Sequence, residues 1–311
     1  MKIGVISTSN GGVDYHRLLR PFALLQDDYE VERWTNVSPE MYDANIDVLV
    51  FSRFLPVREQ NEFLNEMRKR GTYIICDVDD YWVLPSNHVA AKVNKQARPL
   101  MIDAMSMADE VWTTHELLAG YIERLNRNVY VIPNALDPNE EQWKPKEDYG
   151  TRIGWAGGVT HFDDLMKTKD AWNGIHPVIC GYKKEPAWKR LADNFEADYV
   201  EGLDVENYGL LYEKFDIAIA PLERSLFTSC KSNLKILESG LKGLPIFVEN
   251  QHPYTDDATG IYRVDNWATA LQEAQTMEAE TVKAMGQELR SYVLDNYDLN
   301  QVNELRRNRL K

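Results

Sequence analysis

Short apolar runs alternate with helix-like stretches along the whole chain, and this alternation constrains the fold more than any single motif. The runs lack strict polar–apolar alternation, so they suit strands that are buried on both faces of a parallel sheet. Between them lie helical patterns such as VDYHRLLRPFALLQ and REQNEFLNEMRKRG. The strands predicted in the first half are Lys2–Ser7, Val31–Trp34, Asp47–Phe51, Tyr73–Asp77, Glu110–Thr113 and Val129–Ile132.

The same pattern starts again after NALDPNEEQWKPKEDYG, a segment rich in proline, asparagine and charge that is typical of a linker. Helical patterns such as DDLMKTKDAWNGI and ENYGLLYEKF lie between the strands of this second half, and after the last strand a long helical stretch, Glu278–Asn296, leads into the C-terminus. The two halves predict an α/β fold with two Rossmann-like, doubly wound domains that face each other across a cleft, over residues 1–140 and 150–278. The strands predicted in the second half are Arg152–Trp155, Pro177–Cys180, Asp198–Glu201, Asp216–Ala220, Pro245–Glu249 and Ile261–Val264.

Composition is that of a globular protein without a membrane segment. The chain has 311 residues, of which 44% are hydrophobic, and this length favours two domains. No stretch reaches the roughly 18 apolar residues of a membrane span, and the N-terminal apolar run is too short for a signal peptide. Cys76, Cys180 and Cys230 form no CxxC pair. An odd cysteine count without an export signal predicts reduced thiols, a cytoplasmic location and no structural zinc site.

The formal net charge of −14 limits the partners that the surface can attract. Such a charge repels DNA and anionic membranes unless a local basic patch overrides it. The most basic stretch is NELRRNRLK at the C-terminus. It is either such a patch or a solvated helix end whose cations complement the helix dipole, and the second interpretation is favoured.

Ligands of open parallel sheets bind beyond the carboxyl ends of the strands, so four segments that follow predicted strands are candidate sites. In the first, Gly11 and Gly12 allow a ligand to approach the backbone, and a helix begins near Val13. The segment has neither the GxGxxG spacing of a dinucleotide site nor the GK[ST] of a P-loop. It is either a tight turn or a functional loop. His16 and Arg17, in the first turns of the helix, either serve the structure or face the cleft.

The second segment, ICDVDDYWVLP, contains three aspartates within four positions. Like charges this close repel one another unless a cation or hydrogen-bond donors balance them. One interpretation is a divalent-metal site with hard oxygen ligands. Another is that Asp79 and Asp80 bind acceptor hydroxyls or position a neighbouring basic group. The third is that they cap the following segment, with Tyr81 and Trp82 as packing.

The third segment is RIGWAGGVTHFDDL, at the first strand of the second half. Gly157 and Gly158 let the backbone approach a phosphate, and His161 can donate a hydrogen bond to an oxyanion. Asp163 and Asp164, which open the next helix, are expected to complement the helix dipole.

The fourth segment, FTSCKSNLKILESGLKGLP, places small polar residues and Lys231 before a helix. Ser229 or Ser232 would cap that helix, or the free amide groups and Lys231 together would bind a phosphate. Residues seven apart share a helix face, so Glu238 is expected to point the same way as Lys231, toward the cleft mouth. A carboxylate there suits the hydroxyls of a ribose, or it is a surface charge.

These segments, in this order, resemble the GT-B glycosyltransferases. RIGWAGGVTHFDDL, DIAIAPLE and KSNLKILESGLKGLP together are similar to the retaining family of the sucrose-synthase and mannosyltransferase type, called group 1 or family 4. This resemblance covers most of Arg152–Glu249. GGVDYHRLLRPF, DVDDYWVLP and VIPNALD look like N-terminal segments of small members and extend it across nearly the whole chain.

The resemblance implies that the second domain binds a nucleotide-diphosphate sugar. The family signature has two glutamates separated by seven residues; Glu238 matches the second, which holds the ribose, whereas Cys230 stands at the first. The backbone at Asn233, Leu234 and Lys235 is then expected to meet the diphosphate. Further candidates for diphosphate contact are Gly11, Gly12, Gly157, Gly158, His161 and Lys231. The Arg and Lys of many members are replaced by Thr160-His161, which suggests a variant subgroup.

For the reaction, the resemblance implies transfer with retention, in which the leaving diphosphate helps to deprotonate the acceptor. It also implies that no metal or other cofactor is required. The candidate catalytic residues are His16, Asp79 and His161, and the candidate acceptor-binding residues are Arg17, Asp79 and Asp80. Residues 279–311 are expected to form a C-terminal helix that returns to the first domain.

The sequence leaves several classes of acceptor substrate open. The family default is a cell-surface glycan or polysaccharide precursor. A small member without a membrane-binding patch would alternatively modify a protein or a hydroxylated DNA base, although the net charge counts against DNA. Cys230 at the first glutamate position leaves open a degenerate protein that binds nucleotide or glycan without turnover.

Overall fold

The computed structural model describes residues 1–9, 11–183 and 187–310, which form two compact units. Within these residues each unit holds one six-stranded sheet with every strand pair parallel, which confirms the predicted α/β fold class. All the predicted strands form, and both ends of each lie within one residue of the prediction. Unit 1 comprises Met1–Ala135, Cys230–Ser232 and Leu299–Lys311, and unit 2 comprises Leu136–Ser229 and Asn233–Asp298.

The sheet of unit 1 has the strand order β2-β1-β3-β4-β5-β6. This order reverses direction between β1 and β3, which makes it a flavodoxin-like variant of the doubly wound fold. The strands of unit 1 are β1 (Lys2–Ile6), β2 (Glu30–Trp34), β3 (Val48–Ser52), β4 (Tyr73–Val78), β5 (Glu110–Thr113) and β6 (Val129–Val131). The α-helices of unit 1 are α1 (Gly12–Asp14), α2 (Arg20–Ala23), α3 (Gln60–Lys69), α4 (Ala91–Met107), α5 (Glu116–Ile122) and, near the C-terminus, α12 (Leu299–Arg309), with a 3₁₀ turn at Pro39–Tyr42.

The sheet of unit 2 has the strand order β12-β11-β10-β7-β8-β9. Read in chain order this is the Rossmann arrangement, with its switch point between β7 and β10. The strands of unit 2 are β7 (Ile153–Ala156), β8 (Val178–Gly181), β9 (Asp198–Glu201), β10 (Ile217–Ala220), β11 (Ile246–Glu249) and β12 (Ile261–Val264). The α-helices of unit 2 are α6 (Phe162–Met166), α7 (Ala187–Ala192), α8 (Leu226–Ser229), α9 (Leu234–Leu241), α10 (Trp267–Gln275) and α11 (Ala279–Tyr297), with 3₁₀ turns at Glu141–Trp143, Val159–His161 and Tyr208–Lys214.

Helices agree less closely with the sequence patterns than strands do. The pattern ENYGLLYEKF forms a 3₁₀ helix, and DDLMKTKDAWNGI yields only the short α6 before Asn173 and Gly174 turn the chain with positive φ angles of 45° and 85°. Helix α4 lies where no helix is predicted, and it contains Pro99, a residue that normally ends helices. Among the described residues no helix is both long enough and apolar enough to cross a membrane.

The helix after β1 changes its hydrogen-bonding pattern in the middle. Helices α1 and α2 flank a π-helical stretch, Tyr15–Leu19. Such turns are rare and often lie at functional sites. This one contains His16 and Arg17, two predicted site residues, and buries both.

Helix α9 packs unusually close to α11 in unit 2. A Cβ on Gly240 would lie 2.5 Å from Cγ2 of Val293, and one on Gly286 would overlap the carbonyl oxygen of Gly243. Gly243 itself has a φ of +73° and ends α9, a conformation that favours glycine. Gly240 and Gly286 are therefore needed for the packing of α9 against α11, and Gly243 is needed to end α9.

Candidate active site

The loop after β7 lies at the switch point of unit 2, where ligands of such sheets bind. Gly157 donates its N–H to the carbonyl oxygen of Cys180 at 3.1 Å, and a Cβ on Gly157 would lie 2.3 Å from the ring of Trp155. A Cβ on Gly158 would meet only Thr160 Oγ1, at 3.9 Å. Gly157 is therefore required by packing, whereas Gly158 leaves space beside the backbone.

His161 closes this loop through a carboxylate. Its Nδ1 lies 2.9 Å from Oδ2 of Asp164, and Oδ1 of Asp164 accepts the backbone N–H of Glu223 at 2.9 Å. Asp164 is only 5% exposed. Glu223 follows β10, so the carboxylate joins the two segments that leave the switch point.

The start of α9 is not capped as the sequence suggests. The N-cap residue is Asn233, which makes no side-chain cap hydrogen bond and donates from Nδ2 to Asp256 at 2.9 Å. Ser229 instead ends α8, and Ser232 accepts a hydrogen bond from Asn134 at 2.8 Å. The predicted cap by Ser229 or Ser232 is therefore wrong, because the chain enters the helix at Asn233. Asn233, Leu234 and Lys235 present the first backbone N–H groups of α9.

Glu238 lies inside unit 2 rather than at the surface. It is 2% exposed, and its Oε2 accepts hydrogen bonds from Tyr212 at 2.7 Å and Lys235 at 2.8 Å. Lys235 also donates to Tyr208 at 2.7 Å. Although burial opposes the ammonium ion, Glu238 and Tyr208 raise the pKa of Lys235, so the lysine stays charged. Oε1 of Glu238 accepts no hydrogen bond from the described residues.

Lys231 belongs to a different part of the molecule from Glu238. It precedes α9, which begins at Leu234, and it is counted with unit 1, where its Nζ lies 4.0 Å from Asp80 Oδ1. The expected common helix face of Lys231 and Glu238 is therefore wrong, since Lys231 is not in the helix. Cys230 is buried in the core of unit 1, and burial raises the pKa of its thiol to about 11.

The acidic segment after β4 is balanced by an arginine. Arg53, after β3, donates from Nε and Nη2 to the two oxygens of Asp79 at 2.6 and 2.8 Å, and reaches Asp80 at 3.3 Å. Arg53 adopts a φ of 58°, a costly conformation for a non-glycine residue that this fork holds in place. Although burial opposes ionisation, Arg53 lowers the pKa of Asp79. Of the three interpretations of the aspartates, the structure shows the one in which they position a basic group.

The other predicted residues of unit 1 lie around β1 and β4. Gly11 and Gly12 are exposed at the start of α1, and His16 is buried in the π-helical stretch. Arg17 is buried, pairs with Asp77 through two 2.8 Å hydrogen bonds, and donates from Nη1 to two further acceptors. All three nitrogens of its guanidinium thus have partners within unit 1, and a role in acceptor binding stays a prediction.

Two functional candidates escape sequence reasoning. Arg53 directly follows a strand, so the rule that ligands bind at carboxyl ends would have pointed to it. Asp256 gives no local signal; it accepts hydrogen bonds from Asn233, Tyr292 and Tyr297, which meet only in the fold. In the described residues no group of three or more His, Cys, Asp or Glu side chains is arranged to hold a metal.

Solved structures of other proteins share the fold of this chain. No family model and no curated protein sequence matches the chain. The Anabaena protein Alr3699/HepE, solved with UDP-glucose, aligns with a TM-score of 0.70 at 11% identity over 100% of this chain and 99% of its own. The UDP-forming trehalose-phosphate synthase from Burkholderia vietnamiensis aligns with a TM-score of 0.59 at 11% identity, over 98% of each chain. The chain has the GT-B fold.

Further matches show how widely this fold is used. AviGT4, a glycosyltransferase involved in avilamycin A biosynthesis, aligns with a TM-score of 0.56 at 15% identity over 98% of this chain and 95% of its own. A UDP-GlcNAc 2-epimerase from Neisseria meningitidis also aligns, with a TM-score of 0.55 at 10% identity over 100% and 99%. The predicted GT-B resemblance is confirmed for the fold, while the retaining, family 4 assignment stays a prediction. Because one fold hosts several activities, the reaction depends on the residues of the site.

Proposed function

We propose that this protein is a glycosyltransferase that moves a sugar from a nucleotide-diphosphate sugar to an acceptor hydroxyl. Unit 2 binds the sugar donor in this proposal, and UDP is the first nucleotide to test. The proposal is supported by the GT-B fold along the whole chain and by the UDP-glucose complex of its structural neighbour Alr3699/HepE.

The observation that carries the proposal is the state of Glu238. Burying a carboxylate is costly unless it is paired, and here Tyr212 and Lys235 hold Oε2 in one position. Oε1 is left to accept hydrogen bonds from the hydroxyls of a ribose. Glu238 stands where the resemblance expects the ribose-binding glutamate, about one turn after the start of α9 at Leu234.

The diphosphate is proposed to lie near the start of α9 and the Gly157–Gly158 loop. The first N–H groups of a helix and its positive dipole end favour an anion, and the side chain of Asn233 is held away by Asp256. Lys235 contributes through its backbone, because its side chain is committed to Glu238 and Tyr208.

In the proposed reaction the bond between the anomeric carbon and the diphosphate oxygen breaks, and its electron pair stays on that oxygen. The acceptor oxygen bonds to the anomeric carbon on the same face, and its proton passes to the leaving diphosphate. The protein then acts mainly by positioning both substrates and stabilising the leaving charge. No metal or other cofactor is part of the proposal.

Unit 1 is proposed to bind the acceptor, a glycan or polysaccharide precursor, at the carboxyl ends of β1 and β4. Asp80 is the candidate contact there, because its 3.3 Å pairing with Arg53 is longer than the 2.6 and 2.8 Å bonds by which Arg53 holds Asp79. The protein is expected to act in the cytoplasm, and its three cysteines are free thiols.

The first test is a titration of Glu238→Gln with UDP by calorimetry. Loss of a hydrogen bond to a charged acceptor costs about 1.5–3 kcal/mol, so UDP should bind roughly 10- to 100-fold more weakly. The matched control is Glu213→Gln. This variant removes the carboxylate from a different ion pair of unit 2, between Glu213 and Lys242, and should bind UDP like the wild type. Unchanged affinity in Glu238→Gln would remove Glu238 from the ribose site.

A second test covers the proposal as a whole. Wild-type protein is screened by thermal shift with UDP, GDP, ADP and TDP at millimolar concentration, and one of them should stabilise it. No response to any nucleotide would overturn the proposal.

The second candidate function is nucleotide-sugar binding without turnover, which the buried Cys230 at the first glutamate position favours. Mass spectrometry with nucleotide sugars separates these outcomes. Sugar transfer or slow donor hydrolysis supports the enzyme, and interconversion of the free donor sugar would instead indicate an epimerase.

A further inference from the structure

One buried carboxylate joins the two segments that diverge at the switch point of unit 2. Strands β7 and β10 are neighbours there, with Ile153 opposite Ile217. Asp164, on α6 after β7, accepts the N–H of Glu223, after β10, at 2.9 Å through Oδ1. Its Oδ2 lies 2.9 Å from Nδ1 of His161.

The structural alternative is that Asp164 merely complements the dipole of α6. A carboxylate in the first helical turn does so even when it is exposed, as its neighbour Asp163 does while pairing with Arg190. Asp164 differs because it is almost fully buried and each of its oxygens has a fixed partner. Burial of a charge is costly unless the charge is paired. Here the buried carboxylate of Asp164 holds the ring of His161, whose side chain is 28% exposed.

We propose that Asp164 is the positioning residue for His161, and that His161 donates a hydrogen bond to the diphosphate of the sugar donor. The proposal rests on the function proposed above and adds a residue to that site. Asp164 accepts a hydrogen bond from Nδ1–H through Oδ2, which fixes the ring orientation and stabilises the positive charge of the ring. The opposite edge of the ring then donates to the diphosphate.

The hydrogen bond from His161 acts in the step in which the bond between the anomeric carbon and the diphosphate oxygen breaks. Negative charge grows on the bridging oxygen as that bond breaks, and a donor already in place stabilises the charge without reorganisation. The acceptor proton still passes to the leaving oxygen, so His161 gains and loses no proton over the turnover. His161 and Asp164 here do the work of the Arg and Lys that the resemblance expects after the first strand.

The test is the variant Asp164→Asn, in which Oδ1 can still accept from Glu223 but an amide group faces His161. We expect kcat to fall on the order of 100-fold, while KM for the sugar donor changes less than threefold, because the lost interaction strengthens in the transition state. His161→Gln should show the same loss. The double variant should lose no more than His161→Gln alone, since the two residues act as one unit. Asp163→Asn, on the same helix, should retain wild-type kcat.

A spectroscopic measurement separates positioning from general stability. In ¹⁵N-histidine-labelled protein, whose six histidines are assigned with the help of His161→Gln, the Nδ1 signal of His161 should be that of a protonated nitrogen in the wild type. Asp164→Asn should convert it to an unprotonated acceptor, and UDP should shift the ring signals of the wild type only.

The outcomes distinguish this proposal from the function on which it rests. A wild type that binds no nucleotide overturns both. A wild type that transfers sugar while His161→Gln keeps its kcat overturns only the role of His161. The same holds if Asp164→Asn lowers the melting temperature but leaves kcat and the Nδ1 signal unchanged. Should Asp164→Asn fail to fold, His161→Gln still decides the proposal.

Discussion

At the scale of single residues, two buried arginines of unit 1 differ sharply in how they are paired. Arg17 is hydrogen-bonded through Nε, Nη1 and Nη2, and Asp77 balances its charge. Arg306, on α12, is equally buried, but Nη1 donates only to Asn303 at 3.0 Å, and its Nε has no partner among the described residues. Burial, with Arg17 nearby, lowers the pKa of Arg306 to about 9. The charge of Arg306 is therefore a cost to the fold.

This contrast predicts opposite effects for the same substitution. Arg17→Met should lower the free energy of unfolding by about 3–5 kcal/mol, because it leaves Asp77 buried and unpaired. Arg306→Met should be neutral or stabilising, because it keeps the apolar contacts and removes a poorly compensated charge. Urea unfolding of both variants checks this. Equal losses would contradict it and show that Arg306 is well compensated.

At the scale of elements, the packing of α9 against α11 limits what the candidate site tolerates. Gly240 lies two residues after Glu238 on α9, and its hydrogen atom faces Val293 on α11. The contact fixes the helix that carries the ribose candidate. Gly120 on α5 is the opposite case, since a Cβ there would meet nothing within 4 Å.

Alanine at these two glycines should therefore act in opposite directions. Helix propensity alone favours alanine by about 1 kcal/mol, so Gly120→Ala should be neutral or stabilising. In Gly240→Ala the new methyl group pushes against Val293, and overpacking costs about 1–3 kcal/mol, which outweighs the propensity gain. Chemical denaturation of both variants measures the difference. A stabilised Gly240→Ala would mean that α9 shifts freely, contrary to the packing described.

At the scale of the whole molecule, the negative net charge disfavours DNA and other polyanions as acceptors. With a net charge of −14, long-range repulsion opposes association with any polyanion. Residues 303–309 of the most basic stretch, NELRRNRLK, lie in α12, where Arg307 pairs with Asp28 at 2.7 Å and Arg309 with Glu110 at 2.6 Å. These pairs use cations that an anionic polymer would need.

Duplex DNA should accordingly show no binding in a gel-shift assay at about 150 mM salt, and at most weak binding at about 20 mM. A hydroxymethylated duplex included in the same assay tests the alternative of a modified base as acceptor. A shift that persists as salt rises would contradict the expectation and favour the DNA-base alternative.

Much of the architecture can be predicted from the chain alone. Strand positions are predictable because each strand is a short apolar run whose ends are marked by turns or charges, as in KIGVI and DIAIAPLE. Helices such as α4 are harder to predict. Pro99 suggests that a helix ends there, but α4 continues through it. The site is predictable only as a set of segments, since the carboxyl-end rule selects loops and not contacts.

The sequence by itself therefore determined the fold class, the strands and the segments in which ligands are expected, because these depend on local composition and spacing. The tertiary structure alone decided the strand orders, the membership of Lys231 in unit 1, and the partners of Glu238, Asp164 and Asp79. The physical reason is that a buried charge takes its partner from whatever element packs beside it. Arg53 and Asp79 are 26 residues apart in the chain, and Tyr212 and Glu238 are also 26 apart. No local pattern encodes such pairs.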